Sequence, residues 1–315
     1  MSVPGHAPPT DRHRRLTEDD RLLNSKLLIR DLLPEAEHAL ARAGIENAGT
    51  EALALVRDVL GLGRSQLVLH GREPVSAADL ARFREVVRRR CLREPLQYIL
   101  GGCEFWSRDF IVSPAVLVPR PETEFLLEHV LAVLGDRTAV RRPLDLCTGS
   151  GVIAVVLAME LARPVLATDC SPAALAVARA NAGNLGVADR VRLLCSDLFS
   201  AMAPGASFDL IVSNPPYITE SEMATLQPEV GQWEPRLALA GGKDGLDIIR
   251  RIVGGCRTHL RPGGWLFMEI GAGQRQGVLD LFSGQRHLFS DVEVIPDWAG
   301  HPRVLQARRN DRYRQ

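Results

Sequence analysis

The chain has 315 residues, 46% hydrophobic and 24% charged, and its 38 Lys and Arg are balanced by 38 Asp and Glu. That composition excludes a disordered, collagen-like or low-complexity chain, and the length predicts two domains of roughly 100–200 residues. Charge is even along the chain too: residues 1–100 carry 16 basic and 14 acidic side chains, without the basic excess of a nucleic-acid binder. The longest apolar run, Val152 to Met159, has eight residues, against the ~20 that span a bilayer. The N-terminus carries no basic-then-apolar secretory signal. Six cysteines fall mostly in apolar runs, with no Cys-x-x-Cys pair and no His at zinc-ligand spacing. They predict reduced thiols packed as small core residues in a soluble, cytoplasmic protein with no metal site.

Residues 1–18, rich in Pro, His and Arg, predict a mobile tail. Residues 19–96 predict a small helical domain. Leu22, Leu23, Leu27, Leu28, Leu32 and Leu33 fall at helical spacing; Leu53, Val56 and Leu60 repeat it until Gly61 and Gly63. Ser76 with Asp79 predicts an N-cap opening a helix to about Arg93. The arginines on it (Arg82, Arg84, Arg88, Arg89, Arg90, Arg93) predict a solvated face, with RNA or an acidic partner as the alternative.

Residues 97–120 predict a β-hairpin linker: Phe105, Trp106, Phe110, Ile111 and Val112, then Val116, Leu117 and Val118, with Ser113-Pro114 at the turn. Pro121 suits the first turn of a helix, and Glu122 and Glu124 suit its positive end or line a substrate mouth. The rest of the chain, 121–315, alternates strands and helices from about 140 onward. Strands are predicted at Leu144–Cys147, Val165–Thr168, Val191–Cys195, Phe208–Ser213, Trp265–Ile270, Val292–Ile295 and Val304–Ala307. The alternation predicts a doubly wound, mostly parallel seven-stranded α/β sheet, which takes ligands beyond the carboxyl ends of its strands.

Four motifs fall at those ends. Cys147-Thr148-Gly149-Ser150-Gly151 joins an apolar strand to a helix. Its small residues suit close approach of a ligand to backbone N–H groups, as in a dinucleotide fingerprint, or simply a tight turn. It lacks the Lys of a P-loop. Asp169 follows the next strand, where a carboxylate can accept both hydroxyls of a ribose; the alternative is a helix cap, a role Ser171 also suits. Asp197-Leu198 follows the third strand, where it meets a base or forms a surface turn. Asn214-Pro215-Pro216-Tyr217 ends the fourth. There the Asn214 side-chain oxygen and the Pro215 carbonyl can each accept a hydrogen bond from a substrate –NH2, and Tyr217 can pack on a planar group. The prolines hold the carbonyls in place in advance.

Asn-Pro-Pro-Tyr after such a nucleoside-binding half resembles the S-adenosylmethionine-dependent amino-methyltransferases, which modify adenine N6, guanine N2 or glutamine N5. Three more segments narrow the likeness: Val118-Pro119-Arg120-Pro121-Glu122-Thr123-Glu124; Glu234-Pro235-Arg236-Leu237-Ala238-Leu239 with Gly241-Gly242-Lys243-Asp244-Gly245-Leu246-Asp247; and Pro262-Gly263-Gly264-Trp265 leading to Glu269-Ile270-Gly271. Together they are similar to the peptide chain release factor N5-glutamine methyltransferases (the PrmC/HemK family), over about residues 20–310. The resemblance implies a class I, Rossmann-like methyltransferase domain and S-adenosylmethionine as cofactor. It implies that the cofactor lies over Cys147, Thr148, Gly149, Ser150 and Gly151 and reaches Asn214, with Asp169 on its ribose and Asp197 and Leu198 near its adenine. It implies that Asn214, Pro215, Pro216 and Tyr217 hold the glutamine amide, with Glu122 at the substrate mouth. The implied substrate is the Gln of the Gly-Gly-Gln loop of class-1 release factors, docked by the helical domain, with no nucleic acid or membrane involved. Cys147 stands where the family usually has Gly, and Leu198 where an aromatic is common. The alternatives are transfer to another protein glutamine or to a nucleic-acid base, a nicotinamide oxidoreductase, and a non-catalytic binding protein. Hydride transfer has no use for an amide clamp.

Overall fold

The computed structural model describes residues 27–311; the predicted tail, with Leu22 and Leu23, lies outside the described residues. The chain divides between Leu92 and Arg93 into two compact units.

The first unit contains helices α1 (Ile29–Arg42), α2 (Ala48–Leu60), α3 (Arg64–Leu69) and α4 (Ala77–Cys91). Apolar residues at helical spacing (Leu32, Ala36 and Leu40 on α1, Ala52, Leu55 and Val56 on α2, Phe83 on α4) close its core. Ser76 Oγ accepts from the Asp79 N–H at 3.0 Å and starts α4, and Gly61, at φ 65°, ends α2. Two expectations are corrected. Leu27 and Leu28 precede the helix rather than join it. Leu28 bridges Pro74, Val75 donates to the Leu27 carbonyl, and Asp31 reaches back to the Leu28 N–H, so the helical turn begins at Ile29. Nor is the arginine run a plain solvated face. Arg90 is buried on Glu51 at 2.5 Å, and Arg82 and Arg88 pair with Asp58 and Glu85.

The second unit opens with α5 (Leu96–Leu100), strands β1 (Gly102–Phe105) and β2 (Arg108–Ile111), and α6 (Pro121–Leu134). There follow β3 (Pro143–Leu146), α7 (Val152–Glu160), β4 (Val165–Asp169), α8 (Pro172–Asn184), β5 (Val191–Cys195) and β6 (Phe208–Ser213). Three short helices, α9 (Glu220–Met223), α10 (Pro228–Trp233) and α11 (Arg236–Leu239), precede α12 (Asp247–His259), β7 (Leu260–Glu269), α13 (Arg275–Ser283), β8 (Phe289–Pro296) and β9 (Pro302–Arg309). The hairpin exists, but its turn is Trp106-Ser107, not Ser113-Pro114. Both turn residues take left-handed φ (54° and 53°), which matches the twist of paired strands. Ser113-Pro114 lies in the loop beyond, where Val116 donates to the Ser113 carbonyl.

Seven strands form one sheet in the order β5-β4-β3-β6-β7-β9-β8, parallel from β5 to β7, with β9 antiparallel to both its neighbours. One core cluster joins α6 and α7 (Leu126, Leu127, Val130, Val155) to the sheet through Val165, Leu210 and Val212. A second joins α12 and α13 (Ile249, Ile252, Val253, Phe282) through Leu146, Ile211 and Met268. The sheet is thus covered on both faces, as its alternating elements require. The chain winds outward from β3 to β5 and returns to β6 on the other side of β3. This leaves a crevice at the carboxyl ends of β3 and β6. Among the described residues no helix is long and apolar enough to cross a membrane. All six cysteines are free, but only Cys256 is a core residue; Cys170 and Cys195 are exposed at the ends of β4 and β5, and the other three are half-buried. Strand ends are where an apolar run meets solvent, and run composition alone does not reveal that.

Candidate active site

A cavity of about 720 Å³ fills the crevice. Cys147, Thr148, Gly149, Ser150, Asp169, Asp197, Leu198, Asn214 and Pro216 of the predicted site line it; Gly151, Pro215, Tyr217 and Glu122 do not. Sequence reasoning missed two walls: Val116, Leu117 and Pro119 after the hairpin, and the turn Pro235 to Ala238.

The first pole of the cavity is the turn after β3. Thr148 N–H continues the sheet by donating to the Thr168 carbonyl at 2.9 Å, and Gly151 N–H closes the turn on the Thr148 carbonyl. Cys147, Gly149 and Gly151 all take left-handed φ, at 60°, 54° and 84°. At Gly151 the left-handed backbone and close packing together favour glycine, because a Cβ there would meet the Ala178 Cβ at 3.0 Å. At Cys147 a side chain occupies a conformation that favours glycine. Asn181, fully buried, donates to the Ser150 carbonyl at 2.8 Å and exchanges two hydrogen bonds with the Ile111 backbone. It fixes the turn against the hairpin.

Two carboxylates organise this pole. Asp145 is fully buried and accepts from the Thr148 hydroxyl at 2.5 Å and the Ala154 N–H at 3.1 Å on one oxygen. Burial, opposed by those two hydrogen bonds, pushes its carboxyl up to about 8. Its other oxygen and the Thr168 hydroxyl are buried without a partner among the described residues. Asp169 accepts from Gly149 N–H on one oxygen and Ser171 N–H on the other, both at 2.9 Å, which leaves each oxygen a lone pair for a ligand. Ser171 caps α8 through the Ala174 N–H, so the cap role belongs to Ser171 rather than to Asp169. Leu198 is buried at φ 53°, its carbonyl held by Ser196 Oγ at 2.8 Å. Asp197 is exposed and pairs with Arg251 of α12 at 2.7 Å. Burial is the main reason the Cys147 thiol is held far above its ordinary range, so it stays neutral.

The second pole lies at the ends of β6 and β7. Asn214 Nδ2 donates to Thr123 Oγ1 at 3.0 Å, Thr123 Oγ1 donates to Glu269 Oε2 at 2.7 Å, and the Tyr217 hydroxyl donates to Glu269 Oε1 at 3.1 Å. Glu269 is 1% exposed. Burial raises its carboxyl, the Thr123 and Tyr217 hydrogen bonds and the Arg303 charge lower it, and Glu122 adds a smaller upward push. The Tyr217 hydroxyl is thus tied to Glu269, and burial and the Glu269 charge drive its phenol up. Its backbone is clamped as well, since its carbonyl accepts from Gln274 Nε2 at 2.8 Å. A Cβ on Gly241 would lie 2.7 Å from the Tyr217 Cα, which accounts for the glycines after α11. Arg120 pairs at 2.6 Å with Glu234, whose side chain is buried, tying the segment before α6 to the turn before α11. Glu124 accepts from the Trp106 N–H at 2.5 Å and serves the hairpin rather than the mouth.

Thr123, Glu269 and Arg303 were not assigned roles by sequence. The one available signal was Glu269 itself, an acid closing the apolar run Trp265–Met268. His129 and His259 hold structural contacts, with Gln306 and with the Ala206 carbonyl.

The cavity suits a nucleoside carrying a charged tail. Its volume is that of a small-molecule site, and Leu198, Val116, Leu117 and Ile248 provide apolar walls. Asp169 offers a free lone pair on each of its two oxygens, and Gly149 leaves open space above the turn. A sheet of this order, bearing that crevice, defines a class I methyltransferase that uses S-adenosylmethionine. Comparison with known proteins carries the assignment further. Residues 31–101 match the PrmC N-terminal domain, and residues 121–229 match the methyltransferase small domain. The release factor glutamine methyltransferase of Cereibacter sphaeroides is 45% identical over 281 residues, 88% of this chain and 97% of that protein. That of Geobacter sulfurreducens is 44% identical over 281 residues, 89% and 96% of the two chains. Among solved structures, the catalytic domain of hMettl16 in complex with MAT2A 3′UTR hairpin 1 shares the fold at a TM-score of 0.51, with 14% identity over 77% of this chain and 84% of that one. The chain belongs to the release factor glutamine methyltransferase family.

Proposed function

We propose that the protein transfers a methyl group from S-adenosylmethionine to the side-chain nitrogen (N5) of the glutamine in the Gly-Gly-Gln loop of class-1 peptide chain release factors. The observation that carries this reading is the state of Asn214. It lines the cavity, and its Nδ2 is engaged by Thr123, so Oδ1 is the atom left to meet an incoming –NH2. The names of the relatives supply the substrate class.

When bound, S-adenosylmethionine supplies an electrophilic methyl on its sulfonium. Asp169 would take the ribose hydroxyls, Leu198 and Ile248 would pack the adenine with Asp197 near it, and the small residues of the 147–151 turn would let the rest approach closely. An amide nitrogen is a poor nucleophile because its lone pair is delocalised into the carbonyl. Asn214 Oδ1 and the Pro215 carbonyl accept its two protons, aim it, and favour its pyramidal form. Pro215 and Pro216 fix the backbone on which those acceptors sit. Tyr217 acts from behind, through Glu269, and Glu122 adds negative charge beside that pair. No side chain is needed as nucleophile: the amide nitrogen would take the methyl by direct displacement from the sulfonium, which leaves as a neutral thioether, and the nitrogen, now acidic, would give up one proton to solvent. In this reading the helical unit docks the protein substrate, and the reaction takes place in the cytoplasm without nucleic acid.

The test is transfer of labelled methyl from S-adenosylmethionine to a purified class-1 release factor, beside its Gly-Gly-Gln variant with Gln→Ala. Label on the wild-type factor alone, located on N5 by mass spectrometry of the peptide, is expected. Equal labelling of both factors, or of neither, overturns the substrate assignment and directs the search to other proteins and then to nucleic acid.

A further inference from the structure

With Glu269 ionised, two hydrogen bonds in series fix the orientation of Asn214. Thr123 has a single hydroxyl proton. The ionised Glu269 has none to give, so Thr123 donates to Glu269 Oε2 at 2.7 Å. The Thr123 oxygen is then an acceptor only, and Asn214 meets it with Nδ2 at 3.0 Å. Turning the amide over would set two acceptors, Asn214 Oδ1 and Thr123 Oγ1, against each other. We infer that Thr123, polarised by the buried carboxylate of Glu269, is the positioning residue that presents the oxygen, not the nitrogen, of the Asn214 amide to the substrate. The inference rests on the amide-clamp reading above and deepens it. An acceptor at that point attracts the –NH2 of glutamine and repels the carboxylate of glutamate, so the same relay sets the choice of amide over acid.

The relay has a reason for its charge. Glu269 is 1% exposed, and a buried carboxylate persists only when its oxygens are satisfied. Thr123 from α6 serves one oxygen and Tyr217 the other. Arg303 from β9 adds its positive charge, anchored by the Ile270 carbonyl and Asp297. Glu122, also on α6, is the opposing charge that faces the group. Residues 91 and 146 positions apart are joined by the two bonds in series, so nothing in local backbone structure calls for this arrangement. A protonated Glu269 reverses it. It donates to Thr123, Thr123 donates to Asn214, and the amide turns its –NH2 toward the substrate. Since burial raises the Glu269 carboxyl, kcat falls on the acid side as that proton is taken up.

The experiment uses the full chain in three variants: Thr123→Val, Thr123→Ser and Glu269→Gln. The first readout needs no substrate: hydrogen exchange of the Asn214 side-chain Nδ2 protons by NMR. Protection in the wild type and in Thr123→Ser, lost in Thr123→Val, is expected. Wild-type exchange as fast as that of Thr123→Val overturns the inference. The second readout is methyl transfer to a purified class-1 release factor. Thr123→Val is expected to lose about 10²-fold in kcat, with the KM for the factor and the Kd for S-adenosylmethionine within about threefold, and Thr123→Ser to stay near wild type. Thr123→Val turning over like wild type, or Thr123→Ser failing as badly as Thr123→Val, sinks the positioning role. Glu269→Gln, which keeps the shape if Thr123→Val does not fold, is expected to remove the acid limb of the kcat profile; an unchanged limb contradicts the relay. A wild-type protein that labels no release factor defeats the substrate reading alone, because the exchange result still decides the orientation of Asn214.

Discussion

The two poles of the cavity are built by opposite means. The pole after β3 is made of backbone: three left-handed residues in five, N–H groups tied to the Thr168 and Thr148 carbonyls, and a carboxylate two of whose lone pairs are already held by main-chain N–H groups. Its parts lie within 25 residues, from Asp145 to Asp169. The pole after β6 is made of side chains from four distant segments, joined through Thr123 and Glu269. In the proposed reaction the first would hold the cofactor by shape, and the second would aim a single atom. On that reading binding and chemistry are separable, and substitutions at the two poles are expected to give different signatures.

The largest effect is expected at the second pole. Asn214→Ala removes the acceptor and should lower kcat by about 10²–10³-fold, the usual loss for one preorganised polar group at a reacting centre; steady-state methyl transfer measures it. At the first pole, Gly151→Ala places a methyl 3.0 Å from the Ala178 Cβ in a left-handed backbone. The strain, about 1–3 kcal/mol, should displace the turn and weaken S-adenosylmethionine binding about tenfold or more, as titration calorimetry reports.

How much of this was legible follows from the same contrast. The glycine turn, Asp169 and the seven strands could be read from sequence because each is specified by neighbours a few residues away. Asn214 to Tyr217 could be found, since the motif is contiguous. The role of Tyr217 could not, because its partner Glu269 is 52 residues on and the bond between them depends on how β6 and β7 pair. The hairpin turn was misplaced for a related reason. Ser113-Pro114 has the composition of a turn, but Trp106-Ser107 takes the backbone that joins twisted strands. The exposed Cys170 and Cys195 were misread because an apolar run does not announce which of its residues ends the strand.

Effects on stability rather than turnover sharpen the account of the first pole. Asp145 holds its proton up to about 8, against an ordinary value of 3.8. The folded protein therefore binds a proton that the unfolded chain has released, and stability falls as pH rises from about 4 toward 8, by at most about 1.4 kcal/mol per pH unit. Asp145→Asn should flatten that slope in denaturation curves taken across the range; an unchanged slope would place the ionisation elsewhere. Cys147→Gly should relieve the left-handed strain at φ 60° and, after the added chain entropy of glycine, raise stability by about 0.5–1 kcal/mol, read as a small rise in Tm.

The separation of the poles is tested most directly by measuring two quantities on two proteins: the Kd for S-adenosylmethionine and kcat on a purified release factor, for Asn214→Ala and Gly151→Ala side by side. The structure predicts that Asn214→Ala keeps the wild-type Kd and loses turnover, while Gly151→Ala loses affinity and recovers most of its turnover at saturating cofactor. An Asn214→Ala protein that binds the cofactor as poorly as Gly151→Ala, or that still transfers methyl at the wild-type rate, would contradict it.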